Sequence, residues 1–200
     1  MEKKKMQGKR RGGLPSEILF LAGFFLGTIL PNLAWRFQWK EKYMASLGLL
    51  LTLSEGETLG MEFFGQVLRL RLPFLCFCIL CGFSVFGLPL AILVLVGEGF
   101  GTGLVLSVSI LQLGLAGGAL GAGLLLPHYL LYLPASFYLM GQVGEESLEM
   151  WKNKGLFPRK AAAYCGRCLG AGGVYFLGCL LEAWVNPWIV EKILERINFF

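Results

Sequence analysis

The sequence predicts an all-α protein, a polytopic transmembrane helical bundle of about five spans with interfacial amphipathic helices. Three observations carry this expectation. Apolar runs near the length needed to cross about 30 Å of hydrocarbon recur along the chain. Only 16% of its 200 residues are charged and 56% are hydrophobic, whereas a soluble domain is about 25% charged. Basic residues cluster beside the apolar runs, and Trp35, Trp39, Trp151, Trp184 and Trp188 lie at run ends, as orientation signals and aromatic belts do. A transmembrane barrel would show alternating segments of about ten residues, and these are absent. The net charge of +5 therefore reads as encoded topology. Membrane lipids are the expected surroundings, with no nucleic acid partner.

Residues 1–14 form a basic tail with six Lys/Arg and one Glu, expected in the cytoplasm. Residues 15–185 form a single helical membrane domain, with a first span over 15–35. Pro15 suits a helix start, and Ser16 with Glu17 suits its first turn. Gly23 and Gly27 make a GxxxG pair, which lets another helix approach closely. Residues 36–68 are expected outside the membrane, with Tyr43–Leu53 along the interface. This is the largest extramembrane piece. Its aromatic residues Trp39, Tyr43, Phe63 and Phe64 are the candidates for a partner surface.

A second span is expected over 69–86, with Arg69 and Arg71 snorkelling at its start. Gly87, Leu88 and Pro89 then reverse the chain tightly, and a third span follows over 89–111. Glu98 lies near its centre between Gly97 and Gly99. An intramembrane carboxylate is costly and points to function. It could relay a proton or ion, lock two helices together, or sit near an interface if the span breaks at Gly97–Gly103.

Residues 112–126 are rich in Gly and Ala and read as a half-membrane or interfacial helix. They lead into a broken fourth span over 115–143. His128, the only histidine, follows Pro127 in the first turn of the completing helix. It suits a structural hydrogen bond better than a metal site, since it has no partner His or Asp. A charged stretch over 144–160 precedes the last span, over 161–184, and residues 186–200 are expected as an interfacial helix. Five crossings place the N-terminus in the cytoplasm and the C-terminus outside. Ten basic residues then lie inside (six in the tail and four in 144–160) and seven outside, the expected sign of bias.

The chemistry-bearing motifs are few. There is no Asp, and no Walker, G-x-S-x-G or H-E-x-x-H motif, so neither a Ser-His-Asp triad nor a multi-His metal site can be assembled within this chain. Glu145 and Glu146 read as a solvated face. Two C-x-x-C spacings, Cys78/Cys81 and Cys165/Cys168, could hold zinc or form redox pairs. Their apolar setting favours packing between helices. The expectation is a protein that is not an enzyme and carries no cofactor. From the residues alone, a scaffold and a permease both stay open.

One pattern goes further. Gly87-Leu88-Pro89 leads through an apolar run to Gly99-Phe100 and Gly103. A Gly-rich piece follows, then Leu126-Pro127-His128, and Pro134-Ala135 six residues beyond the histidine. This pattern resembles the stage II sporulation protein M family. The chain departs from the family at Tyr129 and Tyr132, where a glycine and an acidic residue are common. The resemblance implies an integral membrane scaffold of endospore formation. It would anchor a peptidoglycan-remodelling complex, made with stage II sporulation proteins D and P, for septal membrane migration during engulfment. It also makes Gly87, Pro89, Pro127 and Pro134 structural candidates beside Glu98 and His128. The alternative is a small-solute or ion permease or channel subunit with Glu98 in a polar path.

Overall fold

A computed structural model describes residues 14–35, 61–152 and 161–197. The chain forms α1 (Ser16–Trp35), α2 (Met61–Cys81), α3 (Gly87–Gln112), α4 (Gly114–Gly123), α5 (Leu125–Lys152) and α6 (Ala161–Ile197). Helices α1, α2, α3 and α6 are each long and apolar enough to cross a bilayer. Helices α4 and α5 form a fifth such unit, bent by 49°. The architecture is an all-α multi-pass membrane bundle. The rows of large apolar side chains on α1 (Ile18, Leu21, Phe25, Ile29) and α2 (Leu70, Leu72, Phe77, Leu80) are exposed, and hydrocarbon is the medium that suits them.

The centre is a helical hairpin of α3 against α4 and α5. Leu88 meets Ser147, Glu98 meets Ser136, and Ser109 and Ile110 face Gly121 and Gly118. The paired numbers converge on Gly114, where φ is 64° and ψ is −143°. That conformation is essentially reserved for glycine. It reverses the chain without a polar loop. Helix α1 packs on one flank of the hairpin and runs parallel to α3. Helices α2 and α6 pack on the other, mutually antiparallel. Five crossing units alternating in direction leave the start of α1 and the end of α6 at opposite faces.

The α1–α3 seam is built from glycine on both sides. A Cβ at Gly23 or Gly27 would collide with the carbonyl oxygen of Val96 or Phe100. One at Gly99 or Gly103 would collide with the carbonyl of Phe20 or Phe24. The two GxxxG pairs thus interlock backbone to backbone. Beyond them, Ser107 donates to the Thr28 carbonyl at 3.2 Å and accepts from Asn32 at 3.1 Å.

The opposite flank uses side chains. Cys78, Ala91, Val94, Leu95, Leu139, Met140, Val143, Tyr164 and Cys168 are buried in one apolar cluster. Tyr164 donates its hydroxyl to the Ile79 carbonyl at 2.8 Å, closing the end of α2. A second cluster joins Val67 on α2, Tyr132 and Ala135 on α5, and Tyr175 and Cys179 on α6.

Several boundaries differ from the sequence expectation. The second span, expected over 69–86, is the helix Met61–Cys81, so residues 61–68 join the helix rather than the outside segment. Arg71 has a partner on another helix, which removes the reason to start the span beside it. The third span, expected over 89–111, begins at Gly87 and ends at Gln112. The bent unit expected over 115–143 continues to Lys152, since Glu146 and Ser147 are buried rather than solvated. Helix α6 runs unbroken past Pro187 to Ile197, so the last span, expected over 161–184, and the tail helix, expected over 186–200, are one element over that range. A proline removes one backbone bond from a helix but does not by itself end it in a membrane. At 37 residues, α6 is about 55 Å long, which exceeds the hydrocarbon thickness.

Candidate functional site

One cluster of polar side chains lies where α2, α5 and α6 meet. Arg71 on α2 and Glu182 on α6 form a two-pronged ion pair. Nη2 lies 2.9 Å from Oε1 and Nε lies 3.2 Å from Oε2. Tyr132 on α5 donates its hydroxyl to the same Oε2 at 2.6 Å and lies 3.2 Å from the Cys179 Sγ. The Arg71 guanidinium also sits over the Tyr132 ring, 4.7 Å from its centre, in reach of a cation–π attraction. Tyr175 stacks on Tyr132 at 4.3 Å. Each member therefore satisfies another, as charges in a low-dielectric interior require.

His128 lies one turn before Tyr132 on the same face of α5 and is buried. Its ring meets the edges of Tyr129 and Tyr132 at 5.0 and 5.4 Å, and its Nδ1 has no hydrogen-bond partner. Glu98 neighbours this cluster through Ser136, which is one turn of α5 from Tyr132. Its Oε1 accepts from Ser136 at 2.8 Å, and its Oε2 has no partner. Ser136 is eight residues from His128, about 12 Å along α5. The structure thus sets the two sequence candidates at different levels. Thr102 Oγ1 donates to the Glu98 carbonyl at 2.7 Å.

Of the other candidates, Gly87 and Pro89 build the start of α3. A Cβ on Gly87 would press on the Cys81 carbonyl and on Ser147. Ser147 accepts from the Leu88 N–H at 2.9 Å and donates to the Val85 carbonyl at 3.1 Å. It replaces a local helix cap with one supplied by α5. Pro127 falls in the first turn of α5 and Pro134 inside it. Phe64 lies against Trp184 at 5.1 Å and Phe176 at 5.7 Å, at the rim of α2 and α6. Trp39 and Tyr43 lie outside the described residues, as does the side chain of Phe63.

Reading the sequence in order missed Arg71 and Glu182 as a pair, because 111 positions separate them. The available signal was weak: the second run carries Arg69 and Arg71 and the last carries Arg167 and Glu182, so opposite charges were present without a unique pairing. All six cysteines are free. Cys78 and Cys168 share the apolar cluster, which is a packing use. Among the described residues no three His, Cys or Glu side chains group as metal ligands would.

Towards the face where α1 begins, the interior side of α5 is mostly apolar. Between Ser136 and Glu146 the buried residues of α5 are Leu139, Met140, Val143 and Gly144, the first three packed on Ala91, Val94 and Leu95. Gln142 is a polar side chain of this stretch, and its Oε1 is enclosed without a partner.

A membrane helical hairpin flanked by α1 on one side and by α2 and α6 on the other defines the class, a multi-pass integral membrane protein. The family model for stage II sporulation protein M matches residues 16–187, and the chain belongs to that family. No curated protein and no solved structure matches it.

Proposed function

We propose that this protein is an integral membrane scaffold of endospore formation, anchoring a peptidoglycan-remodelling complex while the septal membrane migrates during engulfment. The family match over 16–187 carries the reading. Stage II sporulation proteins D and P are the proposed partners. Arg71 with Glu182 and Glu98 with Ser136 pair across helix seams, which suits an anchor that leaves chemistry to its partners. The basic tail places the N-terminus in the cytoplasm and the C-terminus outside. Residues 36–60 and the end of α6 then share the outer face as the partner surface.

Two tests address this reading. Deleting the gene should arrest engulfment, seen by membrane-dye microscopy, and normal engulfment would sink the proposal. Scrambling residues 40–60 should abolish co-purification of the two partners, while undiminished recovery would move the contact elsewhere.

A permease reading draws on Glu98 Oε2 and His128 Nδ1, which lack partners. At the level of Leu139, Met140 and Val143 the polar side chain that such a path could use is Gln142, whose Oε1 also lacks a partner.

A further inference from the structure

Helix α2 is the least enclosed span. Only 6% of it is buried, against 39% of α3. It is also held by different means at its two ends. At the end near Cys81 it is fixed. Tyr164 bonds the Ile79 carbonyl, Phe83 packs edge-on against the Tyr164 ring at 5.0 Å, and any Cβ on Gly82 would strike Tyr164. The five-residue turn 82–86 is tied down by Ser84 and Ser147. Towards its start α2 makes one narrow apolar contact. Gly65 faces open space, Gln66, Arg69 and Leu70 are exposed, and Val67 is buried against α5 and α6 with Phe64, Leu68 and Leu75 beside it. The polar tie of this half to the bundle is the Arg71–Glu182 pair with Tyr132.

We propose that α2 is a hinged arm. It pivots at the 82–86 turn and is latched by the Arg71–Glu182–Tyr132 cluster. In a bilayer, apolar side chains gain little by leaving lipid for a helix seam. The exposed face of α2 therefore does not hold it in place, and the polar cluster sets its docking. Arg71 and Glu182 keep side-chain exposures of 32% and 17%, so the latch lies at the rim of the bundle rather than at its centre. Opening would uncover Tyr132, Tyr175 and Cys179, which α2 now covers. Met61 continues directly into residues 36–60, so a load on that segment acts on the free end of the arm. The latch is a property of this chain alone and stands whether or not the scaffold reading does.

Spin-label distance measurement in lipid nanodiscs tests this, on full-length protein with the native cysteines replaced by alanine. One label pair joins α2 to the hairpin tip (Met61→Cys with Leu115→Cys). A control pair joins α1 to the same tip (Leu33→Cys with Leu115→Cys). All three positions are exposed. With Glu182→Ala, the 61–115 distance should broaden and lengthen by about 5 Å or more, a helical pitch, while 33–115 stays unchanged. The charge-reversed double variant, Arg71→Glu with Glu182→Arg, should restore the narrow 61–115 distribution. An unchanged 61–115 distribution in Glu182→Ala would overturn the latch. Equal broadening of both pairs would overturn the hinge, because the ion pair would then hold the whole bundle. Failure of the reversed pair to restore docking would overturn charge attraction as the holding force.

Discussion

The α1–α3 seam and the α2–α6 seam join helices of similar apolarity by opposite means. The first brings backbones together. Gly23, Gly27, Gly99 and Gly103 remove every side chain from the line of contact. The second is joined by side chains, aromatic rings and one ion pair, Arg71–Glu182. The contrast follows from the solvent. Lipid tails are as apolar as leucine, so hydrophobic burial cannot by itself drive helices together there. Close van der Waals approach and polar pairing remain. A glycine seam has many weak contacts and no single point of failure except size. A polar seam concentrates its stability in a few atoms and can be undone by removing one.

Four substitutions break or sharpen this comparison. The largest effect is expected from Gly99→Leu. The added side chain meets the Phe20 backbone, which cannot yield as a flexible side chain would. A loss of about 3 kcal/mol is expected, at the upper end for overpacking, seen as a large fall in thermal stability in detergent. A stable, well-packed variant would show that the glycines are not the basis of the seam.

Glu182→Ala is the corresponding cut on the other seam. It strands Arg71, and a removed partner costs several kcal/mol for a fully buried pair. Because the freed Arg71 side chain can reach towards the interface, about 2 kcal/mol is expected, below that range. The same thermal measurement checks it, and Glu182→Gln should recover part of the loss. Tyr132→Phe removes one hydroxyl from the cluster but leaves the ion pair and the ring. Membrane hydrogen bonds measured in cycles average about 0.6 kcal/mol, so a small but measurable drop is expected. Combined with Glu182→Ala, it should add almost nothing, since the two share an oxygen. Glu98→Gln is expected to do least. The amide oxygen can still accept from Ser136, so stability should change by about 0.5 kcal/mol or less. Full sporulation with this variant favours an anchor, whereas abolished ion-coupled flux would favour a permease.

Residue patterns carried part of this site and missed the rest for physical reasons. Glu98 stood out because a carboxylate in a continuous apolar run is costly wherever the helix ends fall. The Gly23/Gly27 pair was visible too. Its mate was not, because two GxxxG spacings, Gly97/Gly101 and Gly99/Gly103, overlap there and only packing selects the second. Arg71 looked like a residue reaching for the interface, since nothing nearby in sequence neutralises it. Glu182 looked like the end of a span. Their pairing depends on α2 and α6 lying antiparallel, which no local propensity encodes. Tyr132 hydrogen-bonds a carboxylate that α6 supplies.

By itself the sequence determined that the chain crosses a membrane several times, roughly where, and through its Gly/Pro pattern which family it resembles. Those properties are local. They depend on run length, charge and turn residues, each readable in a window of about 20 residues. The tertiary structure decided that Gly114 rather than a polar loop reverses the chain, that α6 continues through Pro187, and that Ser147 caps a helix 59 positions away. It also decided that the interior charges meet on α2 and α6. Each of these depends on which helices become neighbours. In lipid, that choice rests on close fit and paired polar atoms rather than on hydrophobicity, which all the helices share.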